Sequence, residues 1–302
     1  MLRTTALNLS RNFVRNFNRH LSRLEKYQNE VSSGRKLTRP SDQPSDAMLA
    51  LGIQSYNASL EQYLRNIEDG QLRLNLAENA MNDIQNLTTR AKDLALMGSN
   101  STLNDSDREN IAIEVNQLLE HLLTLANQKS TDGYLFGGTQ TEAAPFDAVR
   151  NDQNEIVSVA PHGDISGRLE RKISPTTSIS VNVDGNGLLY GDKNLFKTLI
   201  NLRDALRNGD TQAISDAAGE LGDLLDSALA KVSEIGSKSQ FLEERKSELD
   251  AEKLQYLDRL ADLRDADLSE SLVNLQQEEV AYQAALSVGA EILKTSILEF
   301  MK

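Results

Sequence analysis

The prolines of this 302-residue sequence occur in only two parts of the chain. They are Pro40 and Pro44, followed after a long interval by Pro145, Pro161 and Pro175. Proline removes a backbone donor and clashes with the preceding helical turn, so long helices must lie outside these two parts. Eight of the 17 glycines also fall between residues 133 and 191. The sequence therefore predicts two long helical arms with an interrupted insert between them.

Both arms carry a seven-residue apolar repeat. Steps of four and three residues from Leu49 to Ala95 meet twelve apolar side chains in fourteen positions, the exceptions being Gly70 and Thr88. The same steps from Leu221 to Leu263 meet ten in thirteen. Such a repeat keeps one narrow apolar seam facing a partner helix. The pattern predicts a mainly α fold of elongated antiparallel coiled-coil rods, the first about 75 Å long. Periodicity alone also fits an ordinary helix-bundle core with no role in polymerisation.

Between the arms, the pattern changes to short stretches that are typical of strands. Segments 155–160, 168–174 and 178–184 are rich in Val and Ile or alternate in polarity, and each is bounded by turn-forming residues. They predict antiparallel strands joined by turns. We expect a small antiparallel β insert over residues 133–191, too small to be an independent catalytic domain.

Capping residues indicate where several helices begin and end. Ser106 has capping-box spacing with Glu109, which predicts a helix start there. Asp192 is the predicted N-cap of a shorter helix that Gly209 ends. Asp210 or Thr211 then begins the second rod.

Charge is distributed unevenly along the chain. The net charge of −13 argues against a nucleic-acid-binding role, and no apolar run approaches the roughly 18–20 residues of a membrane-spanning helix. Residues 1–26 hold six basic residues and one acid, a net +5, whereas residues 265–302 hold seven acids and two lysines, a net −5. Both ends have helical apolar periodicity, so their opposite charges favour pairing of the two terminal helices.

The amino-terminal segment also fits a targeting sequence. Its first 24 residues include five arginines and no acid, a composition shared with mitochondrial transit peptides. Residues 1–30 contain no uninterrupted apolar segment of the kind found in cleavable secretory signals. A structural amphipathic helix is the other interpretation.

The sequence offers little for catalysis. It contains no Cys, which excludes thiol catalysis, disulfides and Cys-ligated zinc. His20, His121 and His162 lie far apart, and no nucleophile–base constellation is found. Residues 133–138 lack the spacing of a phosphate loop, and residues 184–187 fit a hairpin turn better than a calcium loop. We expect no enzyme activity, cofactor or metal.

Three motifs resemble those of one known family. Ser-Ser-Gly-Arg-Lys at 32–36, followed by Arg-Pro-Ser-Asp-Gln-Pro at 39–44, resembles the amino-terminal signature of the bacterial flagellin superfamily. Asp-Ala-Asp-Leu-Ser-Glu-Ser at 265–271, with the helix that ends at 296–300, is similar to its carboxy-terminal signature. Gly-Tyr-Leu-Phe-Gly-Gly-Thr at 133–139, with Pro145 and Phe146 after it, resembles hook–filament junction proteins (the third hook-associated proteins) more than filament flagellins.

The resemblance implies a non-enzymatic flagellar subunit that is secreted through the hollow flagellum and lies at the hook–filament junction. Residues 1–40 and 265–302 would form an inner assembly domain, residues 41–132 and 192–264 a coiled-coil rod, and residues 133–191 an outer insert. The implied partners are other copies of the chain, the first hook-associated protein, flagellin and a cytoplasmic export chaperone, with no nucleic acid and no membrane insertion. The alternatives are filament flagellin itself and a helical enzyme with its site in the insert.

The expected contact residues are the apolar residues of the terminal helices. The assembly interface is predicted to comprise Leu9, Phe13, Phe17, Leu21, Leu24, Leu272, Leu275, Leu286, Leu293 and Ile297. The family's chaperone binding implies candidates among apolar residues away from that seam, namely Val280, Val288 and Ile292.

Overall fold

The computed structural model describes residues 2–41, 43–130 and 132–300, with side chains except those of residues 2–7, 9 and 292–300. Within these residues the chain forms six helices, α1 (Leu2–Ser33), α2 (Pro44–Gly98), α3 (Asp105–Ala126), α4 (Leu195–Asn208), α5 (Thr211–Arg264) and α6 (Leu268–Phe300). The strands are β1 (Lys129–Ser130), β2 (Gly133–Tyr134), β3 (Phe146–Arg150), β4 (Ile156–Pro161), β5 (Glu170–Lys172) and β6 (Ser178–Ser180). This mainly α fold with small antiparallel strand pairs confirms the predicted fold class.

Most of the seven-residue repeat is buried or half-buried along both long helices, although its first residue, Leu49, is 45% exposed. Seam residues of α2 and α5 such as Ile67, Leu74 and Leu242 are fully buried. The two exceptions to the apolar repeat on α2 have physical explanations. A Cβ at Gly70 would lie 2.8 Å from Cγ1 of Val181, so glycine allows a close approach there. Thr88 donates its hydroxyl to the Ile84 carbonyl at 2.7 Å, which satisfies the buried oxygen.

Two predicted N-caps are wrong by two residues each. Helix α3 is capped by Asn104, whose side chain accepts from the Asp107 amide, and not by Ser106. Helix α4 is capped in the same way by Asn194, which accepts from the Lys197 amide, and not by Asp192. In both cases an asparagine stands immediately before the first helical residue, where its side chain reaches the exposed amide three residues on.

The predicted boundary between α4 and α5 is confirmed. Gly209 ends α4 in the left-handed conformation (φ 67°), which glycine adopts without a Cβ penalty. Asp210 then accepts from the amides of Gln212 and Ala213 at 3.1 Å each and so caps the start of α5.

The chain divides into two compact units, residues 1–59 with 251–302, and residues 60–250. Among its described residues the second unit contains three two-stranded antiparallel sheets, which pair β1 with β2, β3 with β4, and β5 with β6. Strands β4, β5 and β6 fall on the three predicted segments. Strands β1, β2 and β3 were missed. The turn that joins β3 to β4 nevertheless has a sequence signal, Asn151-Asp152-Gln153-Asn154, with Asn154 at φ 64°.

Arginines attach the β3–β4 hairpin to α3 and α4. Arg203, only 2% exposed, donates to Asn116 and to the Ile156 carbonyl at 2.8 Å. Arg207 donates through two nitrogens to the two Glu155 carboxylate oxygens, at 2.7 and 2.9 Å. This pairing lowers the pKa of Glu155 to about 2, chiefly through the hydrogen bonds from Arg207. The hairpin is therefore fixed by charge-assisted contacts as well as by its apolar face.

Candidate functional site: the paired terminal helices

The two chain ends pack against each other as an antiparallel helix pair. Four contacts follow the pair, and residue numbers that rise along α1 meet numbers that fall along α6. From one end to the other they join Phe13 to Gly289, Phe17 to Tyr282, His20 to Glu278, and Glu30 to Ser271. The α1 residues in this series are four, three and ten positions apart, and each interval is a sum of steps of three and four that keeps to one side of a helix.

Aromatic rings form the apolar part of this contact. The Phe17 ring lies 5.1 Å from the Tyr282 ring and 6.0 Å from the Phe13 ring, measured between centroids. Gly289 permits the approach of Phe13, because a Cβ on Gly289 would overlap the tip of that ring. Glycine in a helix interior costs about 1 kcal/mol relative to alanine. Its presence here is explained by the close packing that it allows.

Charged side chains continue the contact along the pair. Nδ1 of His20 lies 2.7 Å from Oε2 of Glu278, and Arg23 donates to Oε1 of Glu278 at 3.3 Å. The pKa of Glu278 lies below its ordinary value, chiefly because of the hydrogen bond with His20. The pairing of a basic α1 with an acidic α6 thus includes a direct ion pair, between Arg23 and Glu278.

Where α1 and α5 end and α6 begins, the two terminal signature motifs lie side by side. Gly34 adopts the left-handed conformation (φ 68°), and its carbonyl accepts from the Ala266 amide at 2.9 Å. The Lys36 amide donates to the Arg264 carbonyl at 2.8 Å, and Arg35 pairs with Asp265 in an antiparallel bridge. Asp267 then caps α6 by accepting from the amides of residues 269 and 270. The motifs fix where both terminal helices meet the long helices.

The predicted interface residues differ in how exposed their side chains are. Phe13, Phe17, Leu24 and Leu275 are half-buried, whereas Leu21, Leu272 and Leu286 are exposed. The side chains of the predicted residues Leu9, Leu293 and Ile297, and of the chaperone candidate Ile292, are not among the side chains that the structure describes. Val280 and Val288 are exposed. The assignment of these residues to an assembly or a chaperone interface stays a prediction.

Several contact residues of the helix pair were not among the predicted site residues, and two of them stand out. Glu278 pairs with the basic helix, and Gly289 accommodates Phe13. A signal for Gly289 was present, because it follows Leu275 and Tyr282 at intervals of seven residues. The sequence indicated Glu278 only through the general excess of acidic residues in α6.

Helix α6 also has an apolar surface that α1 does not cover. Val273, Val280, Ala284 and Val288, which we call the outer stripe, are all exposed. At 3.6 residues per turn, Val280 points about 160° away from Tyr282, which faces α1. The two apolar surfaces of α6 are therefore on opposite sides of the helix.

The described part of the chain provides no group of three acidic or histidine side chains arranged to hold a metal ion. None of the helices in the same residues combines the length and apolar character needed to cross a membrane.

Known proteins are similar to this chain along most of its length. The profile of the bacterial flagellin N-terminal helical region matches residues 5–141. The chain is 26% identical over 296 residues to flagellar hook-associated protein 3 of Escherichia coli K12, covering 92% of each chain.

Two further matches bear on fold and subfamily. The flagellin of Clostridium tyrobutyricum is 29% identical over 135 residues, which cover 43% of this chain and 36% of that flagellin. A solved structure of a putative flagellar hook-associated protein from Vibrio parahaemolyticus superposes with a TM-score of 0.66 at 20% identity. The superposition covers 74% of this chain and 100% of that one, and it supports the helical fold.

Proposed function

We propose that this chain is the adapter that joins the flagellar hook to the filament and provides the surface on which flagellin polymerises. The observation that carries the proposal is the position of the outer stripe, which is opposite the face of α6 that packs on α1. A helix with apolar residues on two sides needs a second partner to bury both. In this chain that partner would be supplied by neighbouring subunits.

Exposure at the outer stripe leaves a substantial driving force for assembly. Val280 is 67% exposed and Val288 is 53% exposed. Complete burial of a valine contributes roughly 1.5 kcal/mol or more relative to the exposed state. Several such residues along one helix are sufficient for assembly among subunits held at high local concentration. The same residues would bind an export chaperone before assembly, because free apolar surface also promotes aggregation.

The proposal includes the domain roles and partners suggested by the sequence. Residues 1–40 and 265–302 would form the inner assembly domain, residues 41–132 and 192–264 the rod, and residues 133–191 an outward-facing insert. Sister copies, the first hook-associated protein and flagellin would be the partners in the secreted, assembled state. Nothing in this role requires a catalytic site.

Filament flagellin is the competing assignment. The length match favours the junction adapter, since the similarity to hook-associated protein 3 of E. coli extends over 92% of both chains. The flagellin of C. tyrobutyricum matches over less than half of either chain. Electron microscopy of purified protein separates the two roles, because a flagellin forms long filaments when seeded and a junction protein does not.

The proposed function is tested by gene replacement. Deletion of the gene should leave hooks intact, abolish filaments and release flagellin into the medium. Replacement by a V280Q/V288Q variant should give the same defect. The V149Q/V157Q variant is the matched control, because these two exposed valines lie on the β3–β4 hairpin. Normal filaments in the deletion strain would refute the adapter role.

The amount of V280Q/V288Q protein that is secreted distinguishes a defect in assembly from a defect in chaperone binding. If the V280Q/V288Q protein reaches the medium in normal amount, the defect lies in assembly. If it accumulates in the cytoplasm while an intact copy is exported, the defect lies in chaperone binding. Normal filaments from this variant, with the deletion defective, would remove the outer stripe from the proposal.

A further inference from the structure

The loop between β6 and α4 contains an exposed Asn-Gly sequence, Asn186-Gly187. Asn186 lies outside the helices and strands of the described chain and pairs with Tyr190 in an isolated bridge. Gly187 adopts the left-handed conformation (φ 76°), and a Cβ on it would meet nothing within 4 Å. The peptide bond that joins the two residues is therefore open to solvent.

An exposed Asn-Gly sequence can react with itself. The backbone nitrogen of Gly187 would attack Cγ of Asn186, the backbone amide proton would pass to water, and the side-chain nitrogen would take up a proton and leave as ammonia. Water then opens the resulting five-membered succinimide ring at one of its two carbonyls. One product is aspartate in the normal chain, and the other is isoaspartate, in which the main chain runs through Cγ. Glycine favours the attack because it has no Cβ to obstruct its own nitrogen.

Few contacts oppose this reaction at Asn186. The Gly187 amide donates one hydrogen bond, to the Tyr190 carbonyl at 2.9 Å. The side chain of Asn186 has no hydrogen-bond partner among the described residues. A local opening that breaks one hydrogen bond slows the attack only about fivefold. The loop therefore leaves both reacting groups accessible.

The chain contains a second Asn-Gly sequence, Asn208-Gly209, in a different conformation. Asn208 is the last residue of α4, and the Gly209 amide donates to the carbonyls of Ala205 and Leu206. The succinimide ring requires backbone angles at asparagine that an α-helix does not allow, so the end of α4 must open first. Because the two sites have the same sequence, a difference between their rates reports their conformation.

We propose that Asn186 is a site of spontaneous covalent modification, converted to aspartate and isoaspartate faster than Asn208. Solvent water is the co-reactant and ammonia is the leaving group. The inference does not depend on the adapter role, because it follows from the loop of one isolated chain.

Isoaspartate at this position would weaken the connection between the insert and α4. Leu188 and Leu189, which follow the reactive pair, are fully buried, and their amides both donate to the Gly185 carbonyl. The amide of Leu195, at the start of α4, donates to the Leu188 carbonyl at 2.8 Å. Isoaspartate adds one carbon to the main chain inside this set of hydrogen bonds. The bonds should therefore open more often in the modified protein.

Ageing of the full-length protein tests the proposal. Wild-type protein is incubated in mildly alkaline buffer, which promotes loss of the amide proton, and is digested at intervals for peptide mass spectrometry. The peptide with Asn186 should gain about 1 Da, and protein L-isoaspartate methyltransferase should label it. The peptide with Asn208 should react about fivefold more slowly or less, since opening α4 breaks further hydrogen bonds.

Hydrogen exchange measured on the same samples tests the structural consequence. Residues 188–199 should exchange faster in aged than in fresh wild-type protein. The N186Q variant removes the reactive site, because glutamine would have to close a six-membered ring, which forms far more slowly. Aged N186Q should therefore exchange like fresh protein. N208Q is the matched control and should change on ageing as the wild type does.

Conversion of Asn208 as fast as Asn186 would overturn the proposal. So would an Asn186 that stays unmodified in the protein while a synthetic peptide of residues 182–191 is converted under the same conditions. Faster exchange in aged N186Q, equal to that of aged wild type, would overturn the proposed weakening of the connection to α4. Fresh N186D protein carries the new charge without the extra carbon, so exchange as fast as in aged wild type would overturn the role of the longer main chain.

Discussion

Substitution of Gly289 by alanine tests whether α1 and α6 are held together by close packing. In a solvent-exposed helix interior this substitution stabilises by about 1 kcal/mol. At Gly289 the new methyl group would overlap the Phe13 ring, and overpacking of this kind costs about 1–3 kcal/mol. The expected net effect on the helix pair is therefore a destabilisation of up to about 2 kcal/mol.

Gly52 is the matched control because it lies inside α2 in the same compact unit, and a Cβ there would meet nothing within 4 Å. Amide hydrogen exchange measured by mass spectrometry reports the stability of each helix. G52A should slow exchange in α2 by up to about fivefold, whereas G289A should accelerate exchange in α1 and α6 by up to about thirtyfold.

A double-mutant cycle assigns the effect to the aromatic ring. In an F13A background the overlap is gone, so G289A should slow exchange in α6 as G52A does in α2. Non-additivity of this kind measures coupling between two contacting residues. The packing argument is refuted if G289A slows exchange in α6 while Phe13 is present.

Three further substitutions test other contacts. N57L should raise the free energy of unfolding by about 1–3 kcal/mol, because both polar side-chain atoms of Asn57 are buried without a hydrogen-bond partner among the described residues. Urea unfolding measures this change, and the substitution of exposed Asn86 by leucine is the control. E155Q should cost about 1 kcal/mol at pH 7 by breaking the contact with Arg207. Because the fold lowers the pKa of Glu155 to about 2, its stabilisation is present at neutral pH and is lost as the pH falls towards 2, so the urea midpoints of E155Q and wild type should converge in acid. E278Q should accelerate hydrogen exchange in α1 by a few-fold, and the difference should shrink at high salt.

The long helices were predictable because their period depends on local geometry. A residue buried every three or four positions is required of any helix that packs on one partner, so the seam from Leu49 to Ala95 could be counted in advance. The first residues of the helices were harder to predict, because several polar residues near each helix start can act as the N-cap. Asn104 and Asn194 were selected by where the chain turns into the helix, which the order of residues alone does not specify.

The insert shows how tertiary contacts complete short strands. Strand β3 contains Asp147 and Arg150 and lacks a strong alternating pattern. It pairs with β4 in a hairpin that is held on the helices by Arg150, Arg203 and Arg207. Two-stranded sheets are marginal by themselves, so contacts with distant residues decide whether such a segment is a strand.

The sequence alone determined that the chain is mainly helical, that its centre is a small β insert, and that its ends are apolar helices of opposite charge. Proline positions, apolar period and charge are properties of neighbouring residues, and they can be counted without coordinates. Only the tertiary structure decided which faces of the end helices meet. The pairing of Phe13 with Gly289 and of Arg23 with Glu278 joins residues more than 250 positions apart. Contacts at that separation depend on the register of two long helices, which the packing of the whole unit sets.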